Sequence, residues 1–335
     1  MAGNFVQLHN HTHYSLLDGA SKVPDLVKRV KELGMPAVGI TDHGNMHGAY
    51  ELWRAAVDSG VKPIIGIEAY VTPETARQDK TRVSWDTNWT PVPGHARNPD
   101  DVSGGGLITH LTMWAENDEG LVNLIKASSV ANLEGRVMRY PRMDKEVLST
   151  YSKGVIASSG CPSGIIQTRL RLGQFDEALR AAGEFQDIFG KDNFYIELMD
   201  HGLSIESKVT GDLLTIAKKL GAPLLATNDS HYVMEADKDA QDAMLCINSG
   251  ATLDDPNRFK FEGSGYYIKS AEERRELFKD HPDACDNTLE IAERCNVIFD
   301  DHEDGAFMPQ FDCPEGWDET SLFLKKVEEG LEKRY

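Results

Sequence analysis

Positive charge is scarce in this sequence. Lys and Arg number 35 against 54 Asp and Glu, a formal net charge of −19. That balance excludes a broad basic face for nucleic acid. A polynucleotide, if bound, has to be handled locally by metal ions and a few arginines. Long hydrophobic runs are missing too: no stretch approaches the roughly 18 apolar residues of a membrane span, so no membrane partner is expected. The first residues, "MAGNFVQLHN", lack a basic segment followed by an apolar one, and no secretion signal is expected. Cysteine is sparse and odd in number, five scattered residues. This argues against a disulfide framework and for a reducing, cytoplasmic setting. There is no internal repeat and no long low-complexity tract. What is present is ordinary for a folded globular chain, 40% apolar and 27% charged residues. A length of 335 residues suits two domains or one large α/β domain with an appendix.

Short apolar runs alternate with helical patterns. Strands are expected at 5–9, 37–41, 62–71, 107–115, 154–160, 194–199 and 223–228. Helices are expected near 22–33, 47–59, 118–129, 174–189 and 205–220, where apolar residues recur at spacings of three and four, as in Leu26, Val27, Val30 and Leu33. Gly34, Gly60, Gly190 and Gly221 fall where helices should stop. Near-continuous apolar strands between helices predict an α/β fold with a parallel sheet covered on both faces. Seven such units can close as a TIM-like barrel, and an open doubly wound sheet satisfies the same pattern. Residues 73–105, rich in Pro, Gly, Asn, Asp and Thr, read as a long loop or flap. From about 270 the pattern turns helical. The last helical stretch, "SLFLKKVEEGLEKRY", stops without a cap, as in a piece of a longer chain.

Against this frame the candidate ligands fall at strand ends. "LHNHTHYSLLDG" places His9, His11 and His13 on alternating positions, which share one face of a strand, with Asp18 five residues on. "TDHG" puts Asp42 and His43 after the second strand, Glu68 lies near the end of the third, and His110 lies in the fourth. Cys161 follows the fifth, and Asp229 and His231 in "NDSHY" end the last. In a parallel barrel those ends converge on one face. Any one of these residues alone reads as a solvated or hydrogen-bonded polar group. Their joint placement does not. So many imidazoles, carboxylates and a thiol exceed the needs of one ion, and about three ions sharing ligands fit better. A cysteine among histidines favours zinc, and the mixed His/carboxylate set also suits manganese or iron. His13 reads as the outer, solvated member of its run. His47, His95, His201, His281 and His302 read as structural or surface groups.

Several segments carry a family resemblance. "LHNHTHYSLLDG", "GITDHGNMHGA", "KPIIGIEAYV", "LTMWAEN", "SSGCPSG", "ATNDSHYV" and "NRFKFEGSGYYIKS" resemble the PHP (polymerase and histidinol phosphatase) domain. Within it they resemble the domain found at the N-terminus of bacterial replicative DNA polymerase III α subunits. The resemblance implies a distorted (β/α)7 barrel over residues 1–270. Residues 271–335 would be a C-terminal helical segment, the truncated start of the polymerase palm region. It also implies a three-metal cluster held by nine residues: His9, His11, Asp18, His43, Glu68, His110, Cys161, Asp229 and His231. All nine positions hold a residue able to ligate.

An intact set implies an active metal-dependent phosphodiesterase, a 3′→5′ exonuclease that removes mismatched nucleotides from a primer end. Its partners would be primer–template DNA, the rest of the polymerase subunit, the sliding clamp and other replisome subunits. Asp18 or Asp229 is the expected proton acceptor for the attacking water. Arg169 and Arg171 in "TRLRLG" are candidate contacts to substrate phosphate, with a solvated helix face as the bland alternative. Two competing readings are a non-catalytic, metal-stabilised scaffold that docks a separate proofreading subunit, and a small-molecule phosphoesterase of the histidinol-phosphate type.

Overall fold

The computed structural model describes residues 4–85, 98, 100, 105–300 and 311–335. The chain divides into two compact units, Met1–Ile298 and Phe299–Tyr335. In the first unit, α1 (Val23–Glu32), β1 (Ala37–Ile40), α2 (Ala49–Ser59) and β2 (Lys62–Val71) follow one another as the apolar pattern predicts. Then come β3 (Thr109–Ala115), α3 (Asp118–Glu134), β4 (Arg142–Met143), α4 (Lys145–Thr150), β5 (Val155–Ser158), α5 (Ile165–Arg171) and α6 (Phe175–Phe189). The unit ends with β6 (Phe194–Leu198), α7 (Ser204–Leu220), β7 (Leu224–Ala226), α8 (Lys238–Ser249), α9 (Ala271–Leu277) and α10 (Pro282–Arg294). Helices α2 and α7 stop at Gly60 and Gly221, whose φ angles of 72° and 61° are cheap only without a Cβ.

The strands form a curled sheet in the order β1-β2-β3-β5-β6-β7, with β4 pairing with β2 off this path. Its two edges meet through residues 5–12. Gly39 and Thr41 donate to the Gln7 and Asn10 carbonyls at 2.8 and 2.9 Å, beside β1. On the other side, beyond β7, His11 donates to the Ser230 carbonyl at 2.7 Å and Ser230 to that of His9 at 3.1 Å. The extended N-terminal segment is therefore the stave that closes a distorted barrel, which removes the open edges of the sheet.

The sheet is mixed, which corrects the all-parallel expectation. Strand β3 runs antiparallel to both β2 and β5. A parallel pair needs a crossover, usually a helix, and the described residues between β2 and β3 contain no helix. The expected loop over 73–105 lies partly outside the described residues.

The core is apolar and crosses the barrel. Val6, Leu8, Ile64, Trp114, Ile156, Tyr195 and Leu225 pack with Ile291 and Cys295 of α10. Trp114 is fully buried and its indole N–H donates to the Leu8 carbonyl at 3.0 Å. The Val6 N–H donates to Thr288 Oγ1 at 3.1 Å. Helices α9 and α10 thus lie in the first compact unit, which runs to Ile298. The second unit carries α11 (Glu319–Arg334), capped at its start by Asp318, which accepts from the Ser321 N–H at 2.7 Å.

Candidate metal centre

Each ligand candidate reaches the site from a different part of the barrel wall. His9 and His11 come from the closing stave, Asp18 from the turn after it, His43 from the end of β1, Glu68 from β2 and His110 from β3. Cys161 follows β5, and Asp229 and His231 follow β7. Strand register sets their meeting: His43 bridges to Glu68, and His110 pairs with Tyr70. Asp229 sits at φ 46°, a left-handed conformation that costs a non-glycine residue about 1 kcal/mol.

The side chains converge. His43 Nδ1 lies 2.6 Å from Glu68 Oε2, and His43 Nε2 lies 3.0 Å from Asp18 Oδ2. His110 Nδ1 is 3.1 Å from Glu68 Oε1 and 3.4 Å from Cys161 Sγ. His11 Nε2 is 3.0 Å from Asp229 Oδ1, and His9 Nε2 is 3.4 Å from both Glu68 and Asp229. His231 Nε2 lies 3.9 Å from Asp18. Three overlapping triads each place their ligand atoms within 4.8 Å of one another: His11/His43/His231, His9/His11/Asp229 and His43/Glu68/His110. Asp18 and Cys161 flank them.

Apart from the His110–Cys161 pair, most of these atoms lie close without a hydrogen bond. Nε2 of His9, His11 and His231, Nδ1 of His43, both Glu68 oxygens, and Oδ1 of Asp18 and Asp229 are buried with no hydrogen-bond partner. Buried polar atoms are almost always partnered, so this concentration of orphans is a set of side chains that could hold cations. The donor set of imidazole, carboxylate and one thiol suits zinc, manganese or iron.

Electrostatics fit that reading. Burial opposes charge on Glu68, yet His110 and His43 hold it well below the usual carboxylate range. Burial also opposes charge on Asp229, and His9 and His231 likewise hold it low. Asp18 is drawn down to about 2, against burial, by His231 and His43. Burial, with His43 and His231 nearby, pushes His11 down to about 3, which keeps its lone pair free. Burial, then the charges of Glu68 and Asp229, push the Cys161 thiol well up.

A surrounding layer fixes the tautomers. His9 Nδ1–H donates to Glu197 Oε1 at 2.7 Å. Glu197 also accepts from Ser158 and Thr227, each at 2.5 Å. His11 Nδ1–H donates to Ser15 Oγ at 2.9 Å, and Ser15 donates to Asp42 Oδ1 at 2.7 Å. His231 Nδ1–H donates to the Asp229 carbonyl at 2.8 Å. In each case Nε2 is left as the free ligand atom, the usual arrangement of metal-binding histidines. Asp42 therefore supports the site through Ser15.

Sequence reasoning missed Ser15 and Glu197. The available signal for Glu197 was a carboxylate inside the apolar strand "FYIEL".

Other candidates lie elsewhere. His13 leaves the shared face, and its ring lies tilted against that of Tyr14, centroids 4.3 Å apart. His201 is a satisfied buried histidine, bonded to Glu206 at 2.5 Å and to the Asn228 carbonyl at 2.8 Å. His47 and His281 stand outside the triads, and His95 and His302 lie outside the described residues. Arg169 and Arg171 are buried, not on a solvated face. Arg169 bonds Glu74 at 2.5 Å and Gln174 at 2.6 Å and lies 4.5 Å over the Trp85 ring. Arg171 donates to the Pro162 carbonyl at 2.7 Å. Both anchor α5 through these bonds.

Similarity to known proteins follows the same lines. DNA polymerase III subunit alpha of Mycobacterium leprae (strain TN) is 50% identical over 333 residues, 99% of this chain and 28% of that one. The protein of the same name from Saccharopolyspora erythraea is 51% identical over 332 residues, with the same shares. The chain thus spans little more than a quarter of the length of these curated relatives. A solved amidohydrolase from Chromobacterium violaceum matches with a TM-score of 0.40 at 15% identity, over 68% of this chain and 87% of that one. At that distance it says nothing of chemistry. The family model described as the PHP domain matches residues 7–201, which takes in seven of the nine ligand candidates, from His9 to Cys161, together with Glu197. Over more than half of its length, including seven of the nine ligand candidates, the chain belongs to the PHP domain family.

Proposed function

We propose that this chain is the PHP domain of a replicative DNA polymerase III α subunit. It hydrolyses phosphodiester bonds with three divalent cations, most simply zinc, as a 3′→5′ exonuclease on mismatched primer ends. One observation carries the reading: all nine ligand positions are filled, and their ligand atoms are buried, close together and largely unpartnered. When bound, divalent cations supply a water of lowered pKa and neutralise charge on a phosphate.

The chain's own residues do the rest. Glu197, Ser15 and the Asp229 carbonyl hold three imidazoles with Nε2 facing inward. Asp18 and Asp229 have side chains 21% and 13% exposed, whereas Glu68 is fully buried. They are the carboxylates a water or substrate can reach, and they act as the proton acceptors. Residues 271–335 begin the polymerase core. The remainder of the subunit, the sliding clamp and primer–template DNA are the partners, in the cytoplasm.

The test is release of nucleotides from a 3′-labelled mismatched primer by the metal-loaded chain, with Asp18→Asn and His11→Ala as controls. The reading predicts release by the parent and a loss of at least about a hundredfold in both variants. A fully metal-loaded parent that releases nothing, and whose ligand variants only lower Tm, would establish the docking-scaffold reading instead. Faster turnover of a phosphomonoester would favour a small-molecule phosphoesterase.

A further inference from the structure

We propose that Arg136 and Arg139 form a phosphate-binding arm beside the metal centre. They would hold the backbone of a single-stranded polynucleotide one or two phosphates away from the bond at the cluster. This rests on the phosphodiesterase reading above and specifies its substrate as a strand, not an isolated phosphate ester.

The metal centre opens into a cleft of about 600 Å³, within the range of about 300–1,000 Å³ usual for ligand sites. Asp18 and His43 line it, and Arg136 and Arg139 line it as well. Tyr14 and the exposed Leu16 add apolar surface, which suits the face of a base.

Several other arginines are held by carboxylates. Arg77 pairs with Glu134, Asp144 and Glu146, Arg169 with Glu74, Arg258 with Asp242 and Arg294 with Glu116. Among the described residues, neither Arg136 nor Arg139 has a carboxylate at ion-pair distance. Arg139 donates to the neutral Asn248 Oδ1 at 2.5 Å and lies 5.3 Å over the Tyr140 ring. Arg136 Nε donates to the Met138 carbonyl at 3.4 Å. In a chain of net charge −19, two guanidinium groups with no carboxylate at ion-pair distance among the described residues, on the rim of a phosphodiesterase site, are suited to backbone phosphate.

Their presentation is fixed in advance. Val137 and Tyr140 exchange backbone hydrogen bonds at 3.0 Å, making a tight turn with Met138 at φ 55°. Arg142, fully buried, ties the base of that turn to the carbonyls of Gly135, Leu107, Arg77 and Asp79. Asn248 bonds both Arg139 and the Leu17 carbonyl, so it positions Arg139 against the loop that carries Asp18. A solvated surface cation needs no such anchoring. Preorganised donors lose less entropy on binding.

The probe is a fluorescein-labelled, phosphorothioate-linked dT12 titrated into the manganese-loaded chain and read by anisotropy. The double variant R136A/R139A is expected to bind about tenfold more weakly and to lower the salt dependence of log Kd by about two. Its metal content and Tm should match the parent. Cleavage of ordinary dT12 should show a raised KM with kcat nearly kept. Arg136→Lys with Arg139→Lys should recover part of the affinity. Arg54→Ala, an exposed α2 arginine paired with Asp58, controls for net charge and should change nothing. Binding by R136A/R139A within twofold of the parent, while the parent binds and cleaves, overturns this inference and leaves the functional reading standing. A metal-loaded parent that neither binds dT12 nor cleaves a diester overturns both.

Discussion

Two buried charged clusters lie on either side of β7 and the turn after it, and they end differently. Around Arg274 and Lys269, nearly every polar atom finds a partner. Arg274 donates to Asn228 Oδ1 at 2.8 Å and to the Thr227 carbonyl. Lys269 donates to the same Asn228 oxygen at 3.0 Å and to the Gly265 carbonyl. Asn228 in turn donates to the Gly265 and Tyr267 carbonyls at 3.0 and 2.8 Å. Next in sequence, Asp229 belongs to the other cluster, whose ligand atoms face one another unbonded. Burying charge is costly unless it is paired. The first cluster meets that cost with backbone carbonyls and is structural. The second leaves many of its ligand atoms without hydrogen bonds, and groups of three of them are placed where they could hold cations.

The comparison is broken most forcefully by removing metal. Chelation of the loaded chain should lower Tm by about 5–10 °C. Ligand binding to the native state alone contributes roughly 4 kcal/mol per site at a thousandfold excess over Kd. A calorimetric scan with and without chelator checks this, and an unchanged Tm would place the second cluster in the structural class.

Next comes Arg274→Leu. It strips Asn228 and Thr227 of a buried donor and should destabilise the fold by about 3 kcal/mol in urea denaturation. Folded protein should still take up metal. Smaller again is Glu197→Gln, which weakens the hold on His9 Nδ1. Metal affinity should fall about 10–100-fold by competition with a chelating dye, with Tm of the metal-free chain little changed.

The smallest effect is a pH dependence. Burial, and then the charge of Arg274, lower Lys269 from its ordinary value to about 8. Its folded-state value therefore lies below that of the unfolded chain. Between pH 8 and its ordinary value the unfolded state holds more protons, so this group adds stability as pH rises through 8. Lys269→Met should flatten the rise in unfolding free energy between pH 7.5 and 9.5. An equal slope in both proteins would show that Lys269 does not titrate there.

Much of this was legible in the residues. Strand β2 occupies Lys62–Val71, the span its apolar run predicts, because a strand covered on both faces reads as one unbroken run. The ligand candidates were legible because strand ends are marked by the change from apolar to polar residues. The direction of β3 was not, since apolar patterning carries no sense of direction. Helix α5 was missed: every residue of Ile165–Arg171 is buried, so no amphipathic period survives to read. The solvated-face alternative for Arg169 and Arg171 fails for the same reason, since both are buried. Arg136 and Arg139 belong to a turn, where no periodic signal exists, and only the cleft reveals them.

On the proposed function, the unpartnered cluster is a cation site. Elemental analysis of the chain, purified without chelator or affinity metal, tests it most directly. The account predicts about two to three equivalents of zinc, manganese or iron, lost in His11→Ala and in Asp18→Asn. Near-zero metal in folded protein, unchanged after reloading with each of the three, would contradict it.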